Sequence, residues 1–329
     1  MCTAALPIAC LSANRARQKH WPSTVSLIRQ KLPSIPINSF KKNFLIKATH
    51  HRLMCGPRTK IMGILNLTPD SFSRDGCLKY GFLDSEYNLS RALQLVDEGA
   101  DIVDIGGEST RPGAKRIDPK EEIRRIIPTL RKIAKKIKIP ISVDTYKPEV
   151  AKEALAQGAS IVNNIMGTKL DKELLKIVKN YKAAIVLMHS RGIPKIKQYK
   201  IYYKDLIAEI MTSLQNSIEI CLAFGIESDR IIIDPGIGFG KTWQHNLGII
   251  HRLDEFKALN QPILIGTSRK SFIGKILNKE VEERLTGSLA CVSASVLKGA
   301  DIVRVHDVKE TKQTIKALEA IIGLFPSFR

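Results

Sequence analysis

Polar residues of the kinds that do chemistry recur in this chain at one kind of place, the end of a short apolar run. Asn66 lies near the end of KIMGILNL and Asp70 follows it, Glu108, Thr110 and Arg111 follow ADIVDIGG, and Asp144 ends IPISVD. Asn163 lies in SIVNNI, Met188 and His189 end AAIVLMH, and Asp234 ends RIIID. Ser268, Arg269 and Lys270 follow PILIGT, and Arg304 and His306 close ADIVRVH. Arginines 111, 269 and 304, with His306 and Lys270, make a fork-rich array suited to phosphate or carboxylate groups. Asp144, Asn163 and Asp234 offer carboxylates and an amide that can grip the N–H-rich edge of a heterocycle. The expected ligand has a polar ring at one end and an anion at the other. Each residue also has a plain structural role: Asp144 and Asp234 as helix N-caps, Arg269 and Lys270 as solvated charges, the two histidines as core or rim residues, and Met188 as core filler. Their shared position at the ends of all eight runs argues for a site.

The elements that would position them follow from the same runs. Eight short, β-branched apolar stretches read as strands buried on both faces of a parallel sheet. Helical patterns lie between them, such as EEIRRIIPTLRKIAKKI, where Ile123, Ile126, Ile127, Leu130, Ile133 and Ile137 share a face and Pro128 predicts a kink. Eight strand-then-helix units match a (β/α)8 TIM barrel in a single domain, with a doubly wound open sheet as the rival. In a barrel the site is built at the C-terminal strand ends, where the polar residues fall. GADIV at 99–103, GASIV at 158–162 and GADIV at 299–303 then read as one device: a helix closed by glycine at its left-handed C′ position, followed within two residues by a strand.

Composition narrows the function. The chain has 329 residues, 44% of them hydrophobic, which is enough for one large core. It has no run of about 18 apolar residues, so no membrane partner is expected. Its six cysteines lack a CxxC or metal-ligand spacing, which suits reduced thiols in a reducing compartment. The net charge of +20 suggests nucleic acid at first. Residues 1–69, however, hold eleven Lys or Arg and no acid, leaving 20 − 11 = +9 spread over the rest, so no nucleic-acid partner is expected. Residues 1–58 read as a basic extension outside the core (a disordered tail, a transit peptide or an over-extended start), and 59–329 as the barrel. The expected location is the cytoplasm, or an organelle matrix if the extension is a transit peptide. DPGIGFGKT, at 234–242, fails as a Walker A loop because Pro235 stands where its first Gly belongs. With no built-in metal spacing, any cation would arrive with a phosphate ligand, as Mg²⁺ usually does.

Together the motifs resemble the dihydropteroate synthase family of folate biosynthesis. They run in order from MGILNLTPDSFS at 62–73 through DIGGESTRPGA, SVDTYKPEVA, IVNNI, LMH, DPGIGFGKT and GTSRKSFIG to RVHDV at 304–308. The resemblance implies a (β/α)8 barrel that condenses 6-hydroxymethyl-7,8-dihydropterin diphosphate with 4-aminobenzoate, assisted by Mg²⁺, and a homodimer. It implies that Asp144, Asn163, Asp234 and Lys270 hold the pterin, with Met188 and Phe239 nearby, and that Asn66 helps bind Mg²⁺ and diphosphate. Arg111, Arg304 and His306 would hold the diphosphate, while Thr110, Arg111, Ser268 and Arg269 would frame the aminobenzoate. Asp144, Lys270 and Arg111 would carry the catalysis. A corrinoid-partnered pterin methyltransferase shares the barrel but should lack Ser268-Arg269-Lys270 and the ESTRPG loop; a non-catalytic pterin-binding paralogue is the other alternative. The chain departs from the family pattern at Arg74, Asn164 and Ile237.

Overall fold

A computed structural model describes residues 42–68, 84–109, 115–166, 170–191 and 201–323. Thr110 and Arg111, with Asp70 and Arg74, lie outside the described residues. An antiparallel hairpin comes first, β1 (Phe44–Ala48) paired with β2 (His51–Cys55). Eight parallel strands follow: β3 (Lys60–Asn66), β4 (Ile102–Gly106), β5 (Ile141–Asp144), β6 (Ile161–Asn164), β7 (Ala184–Met188), β8 (Ile231–Asp234), β9 (Leu264–Ile265) and β10 (Ile302–Val305). They are ordered β8-β7-β6-β5-β4-β3-β10-β9, and a parallel bridge between Ile233 and Ile263 joins the two ends into a barrel. The open-sheet rival is thereby excluded.

Helices cover the outside: α1 (Ser85–Asp97), α2 (Pro119–Ala134), α3 (Pro148–Ala156), α4 (Lys172–Asn180), α5 (Leu206–Ala223), α6 (Trp243–His251), α7 (Ser271–Leu277), α8 (Leu285–Leu297) and α9 (Val308–Ile321). α2 carries Pro128 inside a single helix. None of the described helices is long and apolar enough to cross a membrane.

The repeated Gly-Ala signal closes three helices in the same way. Gly99, Gly158 and Gly299 have φ of 101°, 109° and 98°. Each time the following alanine N–H reaches back five residues, Ala100 to Leu95, Ala159 to Ala154 and Ala300 to Ser295, a Schellman closure. The next residue pins the neighbouring strand. Asp101 accepts from the Ile61 N–H, Asp301 accepts from the Ile263 N–H, and the Ser160 hydroxyl donates to the Ile141 carbonyl.

The hairpin corrects the expected boundary at residue 58. Ile46, Ala48, Leu53 and Cys55 are buried with Met62, Ile102, Ile161, Ala184, Val186, Ile232, Leu264 and Ile302, forming a core separate from the one between strands and helices. Alternation along HRLMC, with Leu53 and Cys55 buried, is the period-2 pattern of a half-buried strand.

Candidate active site

Successive side chains on a strand point to opposite faces, so every second residue enters the barrel. Counting up from the lower apolar layer, Met62 leads to Asn66, Ile102 to Asp104, Ile161 to Asn163, Ile232 to Asp234 and Ile302 to Arg304. Ser142 likewise leads to Asp144. The interior is therefore apolar at the strand starts and polar at their C-terminal ends. The ladder fixes neighbours: Asn66 pairs with Gly106, Gly106 with Asp144, Asp144 with Asn163, and Met188 with Asp234.

Arg304 lies at the centre of the upper layer. Its Nε donates to Asp104 Oδ2 at 2.6 Å and its NH2 to Asp144 Oδ2 at 2.7 Å, while Asn163 Nδ2 donates to Asp104 Oδ2 at 3.3 Å. Burial opposes the guanidinium charge, and the two carboxylates more than reverse that, raising its pKa. The second oxygens, Oδ1 of Asp104 and of Asp144, are buried and take no hydrogen bond from the described residues. A buried acceptor without a donor is costly, so these oxygens suit a ligand bearing N–H groups. Burial pushes Asp144 up to about 7, against the pull of Arg304 and with the push of Asp104.

The turn after β8 supplies the opposite wall. Asp234 is buried, its Oδ1 accepts the Gly236 N–H at 2.7 Å, and burial pushes it up to about 6. The alternative N-cap role fails for both acids, because α6 is capped by Thr242 and α3 has no side-chain cap. Lys270 Nζ stands 4.5 Å from the centre of the Phe239 ring, and burial pulls it down to about 8. Met188 is buried at the end of β7.

The third wall comes from β9 and β10. Ser268 Oγ lies 3.1 Å from His306 Nδ1 and accepts the His306 N–H at 3.2 Å. Burial, then Arg304 and Arg269, push His306 down to about 3, so the ring is neutral near pH 7. Arg269, at φ 56°, places Nε 3.1 Å from Asp307 Oδ2 and NH2 2.5 Å from Oδ1. Arg304 and Arg269, the two described arginines of the expected array, are thus each engaged by carboxylates of the chain, and His306 carries no charge.

The structure brings together Asn66, Asp144, Asn163, Met188, Asp234, Phe239, Ser268, Arg269, Lys270, Arg304 and His306 at one end of the barrel. Sequence reasoning missed Asp104, which is fully buried inside β4 and is a partner of both Arg304 and Asn163. Its signal was an acid inside an otherwise apolar strand run, where a charge survives only when paired. It also missed Lys147, whose Nζ lies 2.6 Å from Glu108 and Glu122 and 2.8 Å from the Ile117 carbonyl, tying together the two sides of the loop after β4.

Comparison with known proteins adds a family match. The family model described as pterin binding enzyme matches residues 62–306. A dihydropteroate synthase of Bacillus subtilis is 45% identical over 266 residues, covering 81% of this chain and 90% of that protein. A Clostridium difficile dihydropteroate synthase structure solved in the presence of pteroic acid is 43% identical with a TM-score of 0.74, covering 81% of this chain and 98% of that one. A Xanthomonas albilineans dihydropteroate synthase structure with 4-aminobenzoic acid is 36% identical with a TM-score of 0.78, covering 86% and 99%.

Proposed function

This chain belongs to the pterin-binding enzymes and, among them, to the dihydropteroate synthase family, a transferase family, and from that premise we propose how its barrel mouth performs the reaction. The reaction joins 6-hydroxymethyl-7,8-dihydropterin diphosphate to 4-aminobenzoate, releasing diphosphate and 7,8-dihydropteroate. The observation that carries the assignment of roles is the pair of buried acids, Asp144 and Asp234, each on a strand tip at the same end of the barrel and both raised by burial.

Asp144 Oδ1, Asp234 and Asn163 accept and donate along the polar edge of the pterin ring, and Phe239 with Lys270 closes over its face. As the bond from the methylene carbon to the diphosphate oxygen breaks, positive charge spreads into the ring. A preorganised carboxylate at Asp144 stabilises that charge, which is the largest kind of contribution a dry site can make. Arg304 holds that carboxylate in place while presenting positive potential to the departing diphosphate, and neutral His306 donates a hydrogen bond there. The arylamine then attacks the methylene carbon, with Ser268 and Arg269 framing its carboxylate end, so positioning supplies much of the remaining acceleration. No side chain has to act as a nucleophile.

The described residues contain no group of three His, Cys, Asp or Glu able to hold a metal. Among these residues the donor set fits Mg²⁺ as an ion carried on the diphosphate, with Asn66 Oδ1 as the amide oxygen at the mouth. Bound there, Mg²⁺ would neutralise charge on the leaving oxygens. Exposed Ile276 and Leu277 at the end of α7 support a homodimer as the proposed assembly.

The test follows diphosphate release with the pterin diphosphate, Mg²⁺ and 4-aminobenzoate, for the parent and for Asp144→Asn. The parent should couple release to dihydropteroate formation, and the variant, folded as the parent, should lose about 100-fold or more in turnover. Release without coupling, or a variant as fast as the parent, would overturn these roles.

A further inference from the structure

Lys241 belongs to the Gly-rich turn after β8 and is buried although it is a lysine. Its Nζ meets three acceptors: His189 Nδ1 at 2.9 Å, the Phe239 carbonyl at 3.1 Å and the His189 carbonyl at 3.3 Å. Burial, opposed by Asp234, pulls the Lys241 amine down to about 7, and in its charged form the three protons are all used by this set. The His189 ring must then present a lone pair at Nδ1, and burial together with Lys241 holds its pKa down to about 3.

The two carbonyls belong to the loops after two neighbouring strands. His189 follows Met188 at the end of β7, whereas Phe239 sits on the turn after β8 beneath Lys270. The loops already touch closely. A Cβ on Gly236 would come 1.9 Å from the His189 carbonyl oxygen, and one on Gly240 would come 2.8 Å from Arg191 Cβ. Tyr203 adds a hydroxyl bond to the Gly240 carbonyl at 3.0 Å. A buried cation is costly unless its protons are satisfied, so retaining one here needs a structural return. In this site the return is that one Nζ draws the backbone carbonyls of two neighbouring strand-end loops to a fixed separation.

We propose that Lys241 is a positioning residue that sets the width of the pterin slot by clamping His189 to Phe239. This rests on the assignment of the slot to the pterin. Without the clamp the Phe239 ring is no longer held against Lys270, and the slot loses its preorganised width. The clamp lies on the ring side of the site, so the aminobenzoate should be little affected.

The experiment compares steady-state kinetics of Lys241→Met with the parent, using Asp234→Asn as the direct pterin variant. Lys241→Met should raise KM for the pterin diphosphate roughly tenfold or more. It should change KM for 4-aminobenzoate and kcat by less than about threefold. A purely structural role would lower the active fraction, and hence the apparent kcat, while leaving both KM values alone. If Lys241→Met does not fold, Lys241→Gln carries the same test, since it keeps a donor but cannot reach all three acceptors. Unchanged pterin KM in the folded variant, with Asp234→Asn impaired, overturns the clamp alone. Unchanged pterin KM in both overturns the pterin slot as well.

Discussion

Replacing Asp104 with Asn removes one negative charge from the middle of the barrel and changes little else in volume. Asp104 Oδ2 receives the Arg304 Nε at 2.6 Å and the Asn163 Nδ2 at 3.3 Å, and its side chain is 0% exposed. Both neighbours are donors, so the new amide NH2 has no acceptor on that side, and the remaining carbonyl makes a weaker bond without the charge. Arg304 keeps its bond to Asp144, which places the loss toward the low end for a broken buried pair, about 2–3 kcal/mol. For a barrel of this size that lowers Tm by roughly 5–10 °C. The same substitution acts on Asp144. Asp104 is one of the charges that raise Asp144 to about 7, and Arg304 is the group that opposes the rise. Removing Asp104 deletes the first influence and leaves Arg304 to Asp144 alone, so both changes move Asp144 downward. The ionised carboxylate is the working form, so kcat/KM for the pterin diphosphate should decline on the acid side of about pH 7 in the parent. In Asp104→Asn that decline should move to lower pH. Diphosphate release measured between about pH 5 and 9 reads the limb directly. A variant destabilised as expected but with its acid limb unmoved, or moved upward, would refute the coupling through Arg304.

Two further substitutions test the framework. Gly236 has φ 75° and no room for a Cβ beside the His189 carbonyl, so Gly236→Ala should lose about 2–4 kcal/mol and raise KM for the pterin diphosphate; a parent-like Tm would contradict the close approach. Ile46 is 1% exposed against the lower barrel layer, so Ile46→Ala should cost about 2–4 kcal/mol in urea unfolding with both KM values unchanged; a neutral result would separate the hairpin from the cooperative unit.

What could be read from residues alone was whatever local chemistry repeats along the chain. Glycine after a helix needs a positive φ whatever surrounds it, so Gly99, Gly158 and Gly299 marked three strand starts without knowledge of the fold. Short β-branched runs could only be buried strands, and their polar ends then listed most of the mouth. The amphipathic stripe in α2 showed a covering helix, whereas α8, LTGSLACVSASVL, has small and apolar residues on most sides and offered no such stripe. The β1–β2 hairpin was hidden for a related reason: ten strand residues in a basic, acid-free stretch carry little pattern until the barrel floor they cover is present. Only the tertiary structure decided which charges face each other. Asp104 and Arg304 are 200 positions apart, and Arg304 and Asp144 are 160 apart. Strand register and barrel closure set those distances, and a sequence pattern carries neither. The same closure sets Arg304 against two carboxylates, because in a narrow dry lumen a guanidinium finds the nearest carboxylate of its own chain.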